Sequence, residues 1–281
     1  MLRSSNPILS KKDAFTPAAP QSGNPYGGYG TDPYGQQAGG YPGYPGAPAP
    51  YAPAQAPEER MTFDDVVTKT AVTMAILIGS AALAWMFIPE ALYFPALILS
   101  ALVGFGVVLL VAARRNISPA LVLVYAAIEG IFIGMISKFF ESYYEGIVVQ
   151  AVIGTFAAAG VTLAAYKFFN IRVTPKFTKI VVISTIAFAV AMLVNLLLAV
   201  LGVGSPLVAG ITGPVSLLAI GVSLLGAVLA VLNLVLDFDY IERGVAMGAP
   251  AKESWRGAFG LTVTMVWLYV EILRLLSYLR R

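Results

Sequence analysis

The sequence predicts an all-α integral membrane protein: a seven-transmembrane-helix bundle with a disordered N-terminal tail. Three observations predict it. Of the 281 residues, 58% are hydrophobic and only 12% are charged, whereas a soluble domain carries roughly 25% charged residues. From about Thr68 onward, seven apolar stretches follow one another, each near the roughly 20 residues that a bilayer core requires of a helix. Ahead of them lies a segment of Pro, Gly, Ala, Gln and Tyr with almost no aliphatic side chain.

The tail covers residues 1–57. The run Asn24-Pro25-Tyr26-Gly27-Gly28-Tyr29-Gly30 sets its composition, and Tyr-Pro-Gly recurs at Tyr41 and Tyr44. Such a segment cannot bury enough apolar surface to offset the entropy of ordering it. It reads as a solubilising tether. The functional alternative is a tyrosine-rich segment that associates with partners or with itself. Residues 1–57 contain no apolar signal-peptide core, so the first span is expected to act as an uncleaved anchor.

Residues 58–281 form the membrane domain, with spans at about 68–88, 92–112, 118–138, 146–168, 178–201, 212–236 and 257–279. Thr62-Phe63-Asp64-Asp65 opens the first span as a capping box with acids in the first turn. Pro89, Arg114-Arg115-Asn116, Pro175 and the stretch Gly202 to Pro206 mark breaks. An odd number of crossings separates the basic residues. Most of the 18 Lys and Arg, among them Arg3, Lys69, Arg114, Arg115, Arg172, Arg243 and Arg256, fall on the N-terminal side. Lys138, Arg280 and Arg281 fall on the other, and Arg274 lies inside the last span. The positive-inside rule then places the N-terminus in the cytoplasm of a plasma-membrane protein and the C-terminus outside. Arg280 and Arg281 would prefer the cytoplasm, which leaves open a last segment that re-enters instead of crossing.

Composition also excludes chemistry. There is no cysteine and no histidine. Disulfides, thiolate and imidazole metal sites, and Ser-His or Cys-His nucleophile pairs are therefore absent. No P-loop, dinucleotide fingerprint or nucleic-acid module is present. No cofactor is implied, and the small net charge of +3 reads as membrane orientation. The seventh span has no lysine for a retinal Schiff base, and Asp237 has no Gly-x-Gly-Asp partner segment for aspartyl proteolysis. The chain is expected not to be an enzyme.

Three spans carry carboxylates: Glu129, Asp237 and Glu271. A charged acid at the bilayer centre costs about 2.5–3.5 kcal/mol even on the lenient insertion scale, so such acids point to function. Glu129 sits roughly 16 Å into its helix. Tyr125 lies one turn back on the same face, and Gly130 and Gly134 form a GxxxG ridge. Glu129 is either structural glue between helices or part of an ion or proton path. Asp237 and Asp239 lie at the end of the sixth span. Asn233 and Asp237 share a face, whereas Asp239 reads as an interfacial charge. Glu271 lies roughly 20 Å into the last span with Arg274 three residues on. The two form either a self-neutralising pair or a gate that protonation releases. Asn195 and Asn233 add neutral polar groups, often interhelical glue in membranes.

The pattern resembles the transmembrane Bax-inhibitor-motif family, and within it the bacterial YccA-like members of actinobacterial type. The resemblance covers about residues 60–281. It rests on the seven spans, on Met61-Thr-Phe-Asp-Asp-Val-Val-Thr-Lys-Thr70, on Ser118-Pro119, on Leu236-Asp237-Phe-Asp-Tyr-Ile241 and on Leu268-Tyr-Val-Glu-Ile-Leu-Arg-Leu-Leu276. It implies a bundle whose last helix is wrapped by the other six. It also implies a pH-sensitive cation leak, usually discussed for calcium, gated by an acid on the sixth span and one on the seventh. Asp237 matches the first. For the second, Leu-Tyr-Val-Glu selects Glu271, whereas the terminal Ile-Leu-Arg-Leu-Leu selects Thr264.

Two functions are therefore expected to compete. One is a proton-gated leak or channel for cations such as calcium, with Asp237 and Glu271 as a coupled pair and Glu129 lining the path. The other is a non-conducting regulator of a membrane protease or a stress response. The orientation yields a direct test. A cysteine replacing Thr174, in the loop before the fifth span, should resist membrane-impermeant thiol reagents applied to intact cells. It should react once the membrane is permeabilised.

Overall fold

The computed structural model describes residues 59–280, apart from 115, 170, 203, 204, 206 and 209–213. The expected disordered tail, and the basic residues Arg3, Lys11, Lys12, Arg115 and Arg281, lie outside the described residues. Among the described residues, seven helices are long and apolar enough to cross a membrane. They are α1 (Phe63–Phe87), α2 (Tyr93–Ala113), α3 (Pro119–Tyr143), α4 (Ile147–Phe168), α5 (Pro175–Val200), α6 (Leu217–Ala246) and α7 (Glu253–Leu279).

Local chemistry sets the helix starts. Thr62 Oγ1 accepts from Asp65 N at 3.2 Å, Thr174 Oγ1 from Phe177 N at 3.2 Å, and Ser216 Oγ from Ala219 N at 3.1 Å. Each satisfies one orphan amide of a first turn. Pro119 and Pro175 occupy first-turn positions, where no amide hydrogen is needed. Gly146, at φ 76°, makes the left-handed turn into α4.

The expected spans follow hydropathy, and the helices outrun them at their polar ends. The largest correction concerns α6. The span expected at 212–236 is a helix from Leu217 to Ala246. Asp237 therefore sits well inside a helix and not at its end. The extension is held by the Asp239–Arg243 pair at 2.8 Å, one turn apart, and by Arg243 Nη2 donating to Val173 O at 2.8 Å. The last segment is one uninterrupted 27-residue helix, roughly 40 Å long and able to cross completely.

α7 is the core of the bundle, but not in the fully wrapped form that the resemblance implies. Its backbone is approached by α1, α3, α4 and α6. α2 reaches it only through side chains such as Val111 packed near Phe259, and α5 through Phe188 stacked on Trp267 at 5.6 Å. α5 packs its backbone against α6 alone. Its outer face exposes Ile180, Ile183, Val190, Leu193 and Leu197, among others, an apolar surface suited to lipid and not to water.

α1 and α3 cross backbone to backbone. A Cβ on Gly130 or Gly134 would land on the backbone carbonyls of Leu77 or Ala81. Ser80 Oγ donates to Ala127 O across the same crossing at 2.5 Å. In lipid, dispersion and such bonds replace the hydrophobic effect as the force that holds helices together.

The two ends of the bundle differ. At one end the chain before α1 pairs with the α6–α7 turn, and Lys69 Nζ donates to Ala251 O at 3.0 Å. At the other, Arg280 donates to Glu145 O and to Gln150 Oε1, each at 2.8 Å, and Lys138 donates to Trp85 O at 3.0 Å.

Gly134→Ala is expected to destabilise the domain by about 1–3 kcal/mol, because the added methyl pushes two backbones apart. Gly106→Ala, where a Cβ meets nothing within 4 Å, should stabilise by about 0.5–1 kcal/mol. Thermal unfolding of both variants in detergent tests the pair.

Candidate functional site

The antiparallel seam between α6 and α7 carries two of the three carboxylates at two separate levels. At the first level, Thr264 Oγ1 donates to Asp237 Oδ2 at 2.7 Å. One turn earlier on α7, Gly260 leaves room for the acid: a Cβ there would lie 3.0 Å from Asp237 Oδ1. The carboxyl borders a cleft of about 260 Å³. Tyr240 from α6, Arg256, Gly257 and Phe259 from α7, and Val111 and Ala112 from α2 complete its walls. A carboxyl met by a neutral hydroxyl at a cleft wall can take up or release a proton, or meet a cation, without first breaking a salt bridge.

At the second level, Glu271 is only 2% exposed. Arg274 Nη1 donates to both of its oxygens, at 3.2 and 3.1 Å, and Trp267 Nε1 donates to Oε1 at 3.4 Å. All three side chains belong to α7. The neighbouring α6 contributes a notch. A Cβ on Gly226 would fall 2.7 Å from the carboxyl carbon and 2.8 Å from the Phe188 ring. Ser223, buried one turn away, faces the same carboxyl.

These levels do not meet. Thr264 and Glu271 are two turns apart, about 10 Å along α7. Between them Ala230, Leu234 and Leu268, all essentially fully buried, close the seam. The seventh-span position level with Asp237 is therefore Thr264, a hydroxyl. Glu271 occupies a separate station beyond an apolar plug, so the coupled Asp237–Glu271 pair expected from the sequence is not in contact.

Glu129 stands apart from both, on the α2–α3 interface, where a Cβ on Gly104 would lie 2.7 Å from its Oε2. Tyr125 is buried and turns its ring edge-on to Phe259 of α7, with ring centres 5.0 Å apart. Tyr125 shares a helix face with Glu129, but among the described residues its ring packs on Phe259 and makes no hydrogen bond to that acid. Asn233 is the interhelical glue that its type suggested. Its amide donates to Thr185 Oγ1 at 2.7 Å and to Leu229 O at 2.8 Å, which ties α5 to α6 instead of facing Asp237. Asn195 accepts from Leu207 N at 3.0 Å and fastens the loop after α5.

Sequence reasoning missed the small residues that receive the acids. Gly104, Gly226 and Gly260 each belong to a helix other than the acid's own, so linear spacing carries no signal for the pairing. Trp267 was legible, since it stands one turn before Glu271 on the same helix.

The fold and these stations define a seven-helix integral membrane protein with acids held inside the bundle. The chain belongs to the Bax inhibitor 1 like family, whose model matches residues 6–281. No curated protein matches it.

The Glu271–Arg274 station makes a stability prediction. Arg274→Ala leaves a buried acid without its cation and should cost about 3 kcal/mol. Adding Glu271→Gln to Arg274→Ala should recover much of that loss. Unfolding of the two single variants and the double variant in mixed detergent closes the cycle.

Proposed function

We propose that this protein is a multi-pass plasma-membrane protein, N-terminus cytoplasmic, that acts as a pH-sensitive leak or channel for cations, calcium among them. One observation carries the reading: Asp237, inside a membrane-length helix, meets a neutral hydroxyl at the wall of a cleft. An acid kept at such depth without function is costly, and carboxylates at a constriction favour cations. Thr264 acts with Asp237 at the mouth, and Glu271 with Arg274 forms the inner station. The plug of Ala230, Leu234 and Leu268 makes this conformation the closed one. Opening separates α6 from α7 at the plug and joins the two stations. Glu129 does not line that seam and contributes from the α2–α3 side. The activity is transport and not catalysis.

A second reading is a non-conducting regulator of a membrane protease or stress response. It is favoured by Arg274, which neutralises Glu271 within one helix, and by the apolar closure between the stations. On that reading the acids are structural.

Flux of calcium from proteoliposomes, measured against pH, separates the two. The wild type is expected to leak with a pH dependence that Asp237→Asn largely removes and Glu271→Gln alters. Leu268→Ala, which thins the plug, should raise the basal rate severalfold. Flux equal to that of empty liposomes, in wild type and Leu268→Ala alike, would leave the regulator.

A further inference from the structure

The three residues that precede the first helix cap are bonded to the turn that joins the sixth and seventh helices. Met61 N donates to Ala249 O at 2.7 Å, and Ala251 N donates to Glu59 O at 2.7 Å. These two bonds flank Arg60 and Pro250 and make them an antiparallel bridge. Met61 is 2% exposed and packs with Val66 and Ile241. Its sulfur fits over Gly244, where a Cβ would lie 2.9 Å away. Lys69 adds a second fastener on the same turn. It donates to Ala251 O at 3.0 Å and lies over the Trp255 ring at 5.5 Å.

This small cluster adjoins the Asp237 cleft. Gly257 is shared: it lines the cleft, while a Cβ on it would lie 3.0 Å from Ile241 and 3.5 Å from Val66. Ile241 stands one turn beyond Asp237 on α6, and Gly257 nearly one turn before Gly260 on α7. Met61, Ile241, Gly257 and Gly260 thus form a continuous line of contacts from the segment before α1 to the Asp237 cleft.

We propose that Glu59–Met61 is a strap that holds the α6–α7 turn closed and thereby sets the width of the cleft at Asp237. The strap transmits to the cleft any pull or binding event on the chain that precedes it. The role is regulatory, and it is independent of whether ions pass.

The chain has no cysteine, so the test needs no prior removal of thiols. Val111→Cys places a reporter on the α2 wall of the cleft, where the native side chain is 4% exposed. Modification of Cys at 111 by a small charged thiol reagent, followed by peptide mass spectrometry on the full-length protein in membranes, reads cleft opening. Two changes move the strap in opposite directions. Met61→Asp puts a charge where the sulfur seats. Arg60→Cys with Pro250→Cys, oxidised, locks the bridge. Residues so paired lie about 4.5 Å apart at Cα, inside the roughly 4.4–6.8 Å range of disulfides. Met61→Asp is expected to speed modification about tenfold, by populating a minor open state. The oxidised pair is expected to slow it below the rate of the Val111→Cys parent. The locked protein keeps the native geometry, so that arm stays informative even if Met61→Asp unfolds. A locked protein labelled as fast as its parent overturns the proposal. Loss of calcium flux with the labelling pattern intact would count against the leak and not against the strap.

Discussion

A carboxyl group inside a bilayer has to be received by protein, because no water is there to receive it. Each of the three acids in this bundle is received by the absence of a side chain on a neighbouring helix. Gly260 opens the seam for Asp237, Gly226 for Glu271 and Gly104 for Glu129. Hydrogen bonds then finish what the notch begins, from Thr264 in one case and from Arg274 and Trp267 in another. The spacing of α6 against α7 follows from this accommodation. So does the apolar stretch between the two stations, which is simply the part of the seam where both helices present hydrocarbon.

The two stations on the seam differ in kind. Glu271 is supplied with its counter-ion by its own helix, so α6 can move away without stranding a charge. Asp237 draws its hydrogen bond from the opposite helix, so it loses its partner as soon as α6 and α7 separate. The tie that spans the two helices therefore lies at the cleft, and the self-contained one lies two turns further along the seam.

Much of the architecture was legible in the sequence because it is dictated by one-dimensional chemistry. The seven spans follow from length and hydropathy, and the Thr62 cap from a hydroxyl ahead of two acids. The rest depends on which faces meet, which no spacing states. The end of α6 was misread at Leu236 because hydropathy stops there, while the helix is carried on by the Asp239–Arg243 pair and by packing under Met61. The choice between Thr264 and Glu271 stayed open because they share a helix face. Only the antiparallel register of α6 on α7 puts the hydroxyl, and not the acid, level with Asp237. Asn233 shares a face with Asp237 on paper, yet α5 claims it.

The central place of α7 bears on how the protein is made. Helices enter the membrane in order of synthesis, and here the helix that fills the middle is the seventh to emerge. Until it arrives, α1, α3, α4 and α6 surround a space lined by side chains such as Ala126, Ile147, Ala151 and Leu234, which are fully buried only in the finished bundle. The tight α1–α3 crossing can form early and hold the half-built wall together. The final helix then works as a keystone, inserted last and bearing on α1, α3, α4 and α6.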